Sequence, residues 1–195
     1  MLDPLPLASY AFVMSITPGP NNIMVTASGA AFGYRATLPH LLGISIGYAF
    51  QAILMCLGLD IVFKLYPLLH AGLKWIGFAY LLYLGWKLLW AGQAGEARTN
   101  KPLSFLEAAM FQFMNPKAWI MAITTATLFL PKTADLTTTY TAIFMILVVV
   151  NFPCITAWTL FGSGIRQFLT SDRRRQLFNL MMSGMLLATA IFMLK

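Results

Sequence analysis

Six apolar stretches, at about 5–32, 38–63, 68–90, 104–130, 138–163 and 176–194, take up nearly all of a 195-residue chain. Each has the roughly 20 residues an α-helix needs to cross a bilayer. In hydrocarbon every backbone group must be satisfied internally, so only helices and closed barrels span it. A barrel would show short alternating segments rather than continuous apolar runs. Composition agrees: 59% of residues are hydrophobic and 10% charged, against about 25% charged in soluble domains. So few charges cannot clothe a soluble fold of this size. The expected fold is an all-α integral membrane protein with six transmembrane helices and the lipid bilayer as its partner. An ordinary soluble enzyme, a disordered chain and a disulfide scaffold are excluded.

The charges are best read as topology. The net charge of +7 comes without any Lys/Arg stripe interleaved with aromatics outside the apolar runs, so nucleic acid is not an expected partner. The first stretch carries Asp3 and no basic residue ahead of it and outruns a signal-peptide core, so it is expected to stay as a helix. With the N-terminus outside, Arg35, Lys87, Arg98, Lys101, Arg166, Arg173, Arg174 and Arg175 fall inside. Lys64, Lys74, Lys132 and Lys195 fall outside, and Lys117 stays in the membrane. The positive-inside rule then places both termini outside. Cys56 and Cys154 lie in apolar runs without metal-ligand spacing, so neither a metal nor a cofactor is expected.

The chain reads as two halves, 1–91 and 103–195, joined by a polar linker at 92–102. Aligning Pro18 with Pro116 gives an offset of 98 residues, which also carries 41–60 onto 139–158, 73–90 onto 171–188, and Cys56 onto Cys154. Three spans per half force the second half to enter from the opposite side. The expectation is two inverted three-helix repeats, with the first and fourth helices broken at mid-membrane.

The breaks are Thr17-Pro18-Gly19-Pro20-Asn21-Asn22 and Asn115-Pro116-Lys117. Proline removes a backbone donor and clashes with the preceding turn, and freed backbone groups at that depth must face protein or a wet cavity. A second half-helix starting near Pro20 or Asn21 would aim its positive end into that cavity, where a carboxylate is favoured. Lys117 is the one ionisable residue placed well inside the bilayer, a costly position that points to function. It would bind a substrate carboxylate or titrate during transport, or else cap carbonyls freed by the break. Gln51, Gln112 and Asn151 would line the cavity or act as interhelical glue. Glu107 is a candidate gate or proton relay, and Asp60 an interfacial group. Gly43 and Gly47 form a close-packing face, used within one subunit or in a homodimer. His40, at a helix end, is expected only to hydrogen-bond.

The run Thr17-Pro18-Gly19-Pro20-Asn21-Asn22 resembles the hallmark of the LysE/RhtB family of amino-acid exporters. Ala27-Ser28-Gly29-Ala30, Gly33-Tyr34-Arg35-Ala36, Gly43, the segment Tyr80 to Lys87, and Asn115-Pro116-Lys117-Ala118 fit the same pattern. Phe111-Gln112-Phe113 and the Thr-rich run ending in Phe129-Leu130-Pro131 are similar to its cysteine/O-acetylserine exporter branch. The resemblance implies efflux of small amino acids or close derivatives across the bacterial inner membrane, coupled to protons, with both termini periplasmic. Tyr48 and Asn151 stand where some members carry an acid, which argues against a cationic substrate. The expected function is thus a secondary exporter of a zwitterionic amino acid working by alternating access. Its substrate-binding residues would be Pro18, Gly19, Pro20, Asn21, Asn22, Gln112, Asn115, Pro116, Lys117 and Asn151. Lys117 and Glu107 would serve as proton relay or gate. The alternatives are a passive channel, a non-transporting membrane subunit or, with no His-Glu-x-x-His, Gly-x-Ser-x-Gly or clustered acids to support it, an intramembrane enzyme.

Overall fold

The computed structural model describes residues 2–59, 61, 65–90, 101–131 and 135–194. Most of the expected linker, including Arg98, lies outside the described residues, as do Asp60, Lys64, Lys132 and Lys195. Regular structure among the described residues is wholly helical: α1 (Pro4–Ile16), α2 (Pro20–Phe32), α3 (Tyr34–Leu54), α4 (Pro67–Leu89), α5 (Phe105–Phe111), α6 (Pro116–Thr124), α7 (Leu136–Ile165) and α8 (Asp172–Leu194). Wider π turns extend α3 through Met55–Leu59 and α6 through Thr125–Phe129. Tight 3-10 turns follow α5 at Gln112–Met114 and α7 at Arg166–Phe168.

Local chemistry sets the helix starts. Proline opens α1, α2, α4 and α6, where its missing N–H costs nothing and its fixed φ suits the first turn. Asp3 caps α1 by accepting from the Leu5 amide at 3.1 Å, and Asp135 caps α7 through the Thr137 and Thr138 amides. Bonds from the Thr138 side chain and backbone hold the Asp135 carboxyl below its ordinary range. Gly33, at φ +83°, separates α2 from α3, a left-handed conformation that side chains resist. The gap between the first two apolar stretches, 33–37, is therefore filled by this one residue and the start of α3, to which Tyr34 and Arg35 already belong. Likewise α8 begins at Asp172 and takes in Arg173, Arg174 and Arg175.

Polar groups are gathered inside and apolar ones turned outward, the reverse of a water-soluble fold. Asn22, Gln51, Gln112, Asn151 and Ser183 are all buried. Leu5, Leu68 and Leu128 are 73%, 88% and 73% exposed. Tyr34–Leu59 and Leu136–Phe168 are each long and apolar enough to cross a membrane unaided. The pairs α1–α2 and α5–α6 achieve comparable length only across their breaks.

Helix α7 packs against α1, α2 and α3, while α3 also meets α5 and α4 pairs with α8. The α4–α8 contact includes a hydrogen bond from the Ser183 hydroxyl to the Gly85 carbonyl at 2.8 Å. The closest crossing joins α2 and α7. A Cβ on Gly29 would collide with the Thr159 carbonyl, and one on Gly162 with the Thr26 carbonyl. Across the molecule, Gly43 and Gly47 let α3 lie directly on the backbone of α5 at Phe105 and Ala109. That small-residue face is thus occupied within the chain.

Placing valine at Gly162 should force α2 and α7 apart at a cost of about 1–3 kcal/mol or more. A thermal melt of the detergent-solubilised protein should show a clearly lower midpoint for Gly162→Val. Gly164→Val is the control, because a Cβ there meets nothing within 4 Å. Equal midpoints for the two variants would mean that the crossing is not a tight contact.

Candidate functional site

Helix α1 ends at Ile16 and α2 begins at Pro20, so the carbonyls of the last turn of α1 lose their helical partners. Val13 keeps its helical partner, the Thr17 amide, at 3.2 Å, and each carbonyl after it finds a replacement: Met14 accepts from the Thr17 hydroxyl at 3.0 Å. The Ser15 carbonyl accepts from the Asn22 side-chain amide at 3.0 Å. The Ile16 carbonyl takes the indole N–H of Trp158, on α7, at 3.0 Å. Thr17 accepts from Asn22 at 2.8 Å and from the Lys117 ammonium at 2.6 Å. The same ammonium donates to the Thr17 hydroxyl at 2.9 Å and the Pro18 carbonyl at 3.3 Å. Lys117, half-buried at the start of α6, therefore caps carbonyls freed by the break in the other half of the chain.

The second break is satisfied in the same way. Asn115 caps α6 by accepting from the Lys117 backbone amide at 3.1 Å. The Gln112 carbonyl accepts from the Gln51 side chain at 3.2 Å, and the Phe113 carbonyl takes the Trp119 indole N–H at 2.8 Å. The two breaks then meet side chain to side chain. Asn21 donates to Gln112 Oε1 at 2.9 Å, and Gln112 donates back to Asn21 Oδ1 at 3.3 Å. Asn151 on α7 donates to the Ser15 hydroxyl at 2.9 Å and accepts from the Ser45 hydroxyl at 2.9 Å. These bonds join α1, α3 and α7 beneath the break.

A small cavity lies between these groups. Gly19, Asn21 and Asn22 line it from the first break, and Gln112, Asn115, Lys117 and Asn151 from the second half. Its volume is about 20 Å³, room for about one water molecule. In this arrangement the site is closed around its own hydrogen bonds. Two donor sets face it without a protein partner. The N-terminus of α2 receives no side-chain cap, because its N-cap residue is Gly19. The Tyr48 hydroxyl is buried without a hydrogen-bond partner among the described residues. Gly19 is needed for space rather than strain: its φ is −175°, and a Cβ there would sit 2.8 Å from Lys117 Cδ.

Seven of the expected site residues thus share one cavity. Pro18 contributes its carbonyl, while Pro20 and Pro116 start the two half-helices. Glu107 stands apart. Its carboxylate accepts from the Ser104 amide at 2.8 Å and the Ser104 hydroxyl at 2.7 Å, closing a capping box at the start of α5. That is the work of a helix cap rather than of a group facing the cavity. Gln51 and Asn151 act partly as interhelical glue. His40 departs from expectation: it is buried, and neither ring nitrogen has a hydrogen-bond partner among the described residues. Ser15, Ser45 and Trp158 were not anticipated in the sequence, and Thr17 was read as part of the break but not as a site residue. Ser15 and Thr17, just ahead of the prolines, carried the one legible signal.

The chain matches the family model described as "LysE type translocator" over residues 12–195. The cysteine/O-acetylserine efflux protein of Salmonella typhimurium (strain LT2) is 34% identical over 130 residues, 66% of each chain. The protein of that name from Escherichia coli O6:H1 (strain CFT073) is 32% identical over 130 residues, again 66% of each. The match thus spans slightly less than two thirds of the relatives' length. No solved structure matches. With this family model covering nearly its whole length, the chain belongs to the LysE type translocators, a family of membrane transporters and not of enzymes.

Proposed function

We propose that this protein is a secondary exporter of small zwitterionic amino acids or their close derivatives across the bacterial inner membrane, coupled to protons. Export proceeds by alternating access between two inverted three-helix repeats, 1–91 and 103–195, with both termini periplasmic. The observation that carries this reading is the meeting of two helix breaks at one polar cavity, bridged by the Lys117 ammonium. The names of the relatives, cysteine/O-acetylserine efflux proteins, support the substrate class.

The geometry suits a zwitterion. A substrate ammonium entering the site takes over the Thr17 and Pro18 carbonyls now held by Lys117. The released Lys117 ammonium and the uncapped amides of α2 then receive the carboxylate. Charge stays balanced, because the ligand brings one of each sign. A cationic substrate would add a second positive charge beside Lys117, and among the described residues no Asp or Glu lines the cavity. Widening a space of about 20 Å³ to admit an amino acid requires the Asn21–Gln112 pair to part, which couples loading to movement between the halves. Lys117 is then the proton-carrying group as well, since deprotonation would release the carboxylate.

Proteoliposomes should show saturable counterflow of labelled cysteine or O-acetylserine that responds to a pH gradient. No movement of any amino acid would overturn the reading, and flux indifferent to the gradient would point to a passive channel. Lys117→Ala should lower transport per folded molecule by about 10–100-fold, the worth of one lost charge-assisted contact. Unchanged transport would reduce Lys117 to a structural cap. Asn21→Ala and Gln112→Ala should each impair transport, with a double-mutant coupling of about 0.5–3 kcal/mol because the two amides hold each other. Purely additive effects would show that the pair does not act as a unit.

A further inference from the structure

A second cavity opens at the end of the bundle where α2 gives way to α3. It encloses about 140 Å³, close to an engineered cavity of about 150 Å³ that holds benzene. A molecule of some six or seven heavy atoms therefore fits. Met24, Leu84 and Leu103 supply apolar wall, while Lys87 and Lys101 are exposed cations in the same lining. His40 also lines it, almost wholly buried at 1% exposure. The neighbouring polar groups are already engaged. Ser28 and Thr37 share a hydroxyl–hydroxyl bond at 2.9 Å, and the Glu107 carboxylate, bonded to Ser104, also interacts by charge with Lys87 and His40 from outside the lining.

An imidazole buried with both nitrogens unpaired carries a desolvation cost that a ligand can relieve. A neutral ring offers one donor and one acceptor. Two lysines at the opening attract and hold an anion. Apolar wall, cationic rim and a polar floor together describe a small molecule with a carboxylate at one end and hydrogen-bonding groups at the other. A phospholipid headgroup shares the anionic chemistry, but it would engage the rim lysines and leave the imidazole unpaired.

We propose that this cavity is a second binding site, distinct from the one at the helix breaks, for the carboxylate of a free small amino acid, with Lys87 and Lys101 holding the carboxylate and His40 reading the other end. The choice of an amino acid rests on the exporter reading. On the topology proposed above the site faces the cytoplasm, where an exported molecule would be collected before it reaches the helix breaks.

The chain has two histidines, His40 and His70, so a His70→Gln background leaves one imidazole as reporter. With ¹⁵N-labelled histidine and the full chain in phosphatidylcholine nanodiscs, titration with cysteine, a ligand of seven heavy atoms, should shift the His40 ring resonances saturably. In the added double variant Lys87→Gln/Lys101→Gln, the apparent affinity should fall by about tenfold or more. Both lysines are exposed, so that variant should fold. A resonance indifferent to cysteine overturns the proposal. So does one that moves only when phosphatidylglycerol replaces the neutral lipid, which would assign the cavity to lipid headgroups. Because binding is read without flux, these outcomes stand apart from failure of the exporter reading, which the proteoliposome experiment registers.

Discussion

Everything at the centre of this protein depends on finding donors for carbonyls that a helix has given up. A broken helix in an apolar setting leaves backbone groups with nothing to bond to, and each orphan is expensive. The chain meets that demand from three directions: locally through Thr17 and Asn22, from α7 through Trp158, and from α6 through Lys117. The last is the most telling. A cation costly to bury is held by partial negative charges that are themselves costly to leave bare. Each offsets the other, and the bond ties residues 100 positions apart.

The same logic explains why the site is made of amides and hydroxyls rather than acids. Asn and Gln carry donors and acceptors together, so Asn21 and Gln112 can satisfy one another and still exchange partners with a zwitterion. A carboxylate beside Lys117 would form a buried ion pair, whose separation is far more costly than parting two amides. A closed cavity held by neutral hydrogen bonds is easier to reopen than one held by an ion pair.

Much of this was legible in the sequence because proline has positional meaning. Pro20 and Pro116 announced the helix starts, and the Pro-Gly-Pro run announced the break. The all-helical class and the family followed from apolar run length and from the motifs around those prolines. What was not legible depends on side-chain reach. No pattern states that Lys117 extends to the far break, that Trp158 covers Ile16, or that His40 ends with both nitrogens unpaired, because these are settled only when helices pack. Glu107 is different. Ser104-Phe105-Leu106-Glu107 is a capping-box signature in plain view, and weighing the rarity of a carboxylate in an apolar stretch hid its simpler local duty. The gap after residue 32 is shorter than the apolar runs imply because Gly33, at positive φ, turns the chain without help from its neighbours.

The crossing of α2 and α7 at Gly29 and Gly162 bears on how such a molecule can move. Where two backbones touch with no side chain between them, no rotamer can yield, and sliding by a fraction of a turn meets the carbonyl of Thr26 or Thr159. These two helices keep a fixed separation although one belongs to each half of the chain, so movement between the halves has to pivot about this crossing rather than slide along it. Helix α1 is tied to this crossing pair through Asn22 and Asn151 at Ser15 and through Trp158 at Ile16, so any displacement of α1 must first exchange those bonds. The glycine crossing is then the pivot, and the proline break, bonded across to the other half, is the part whose contacts change.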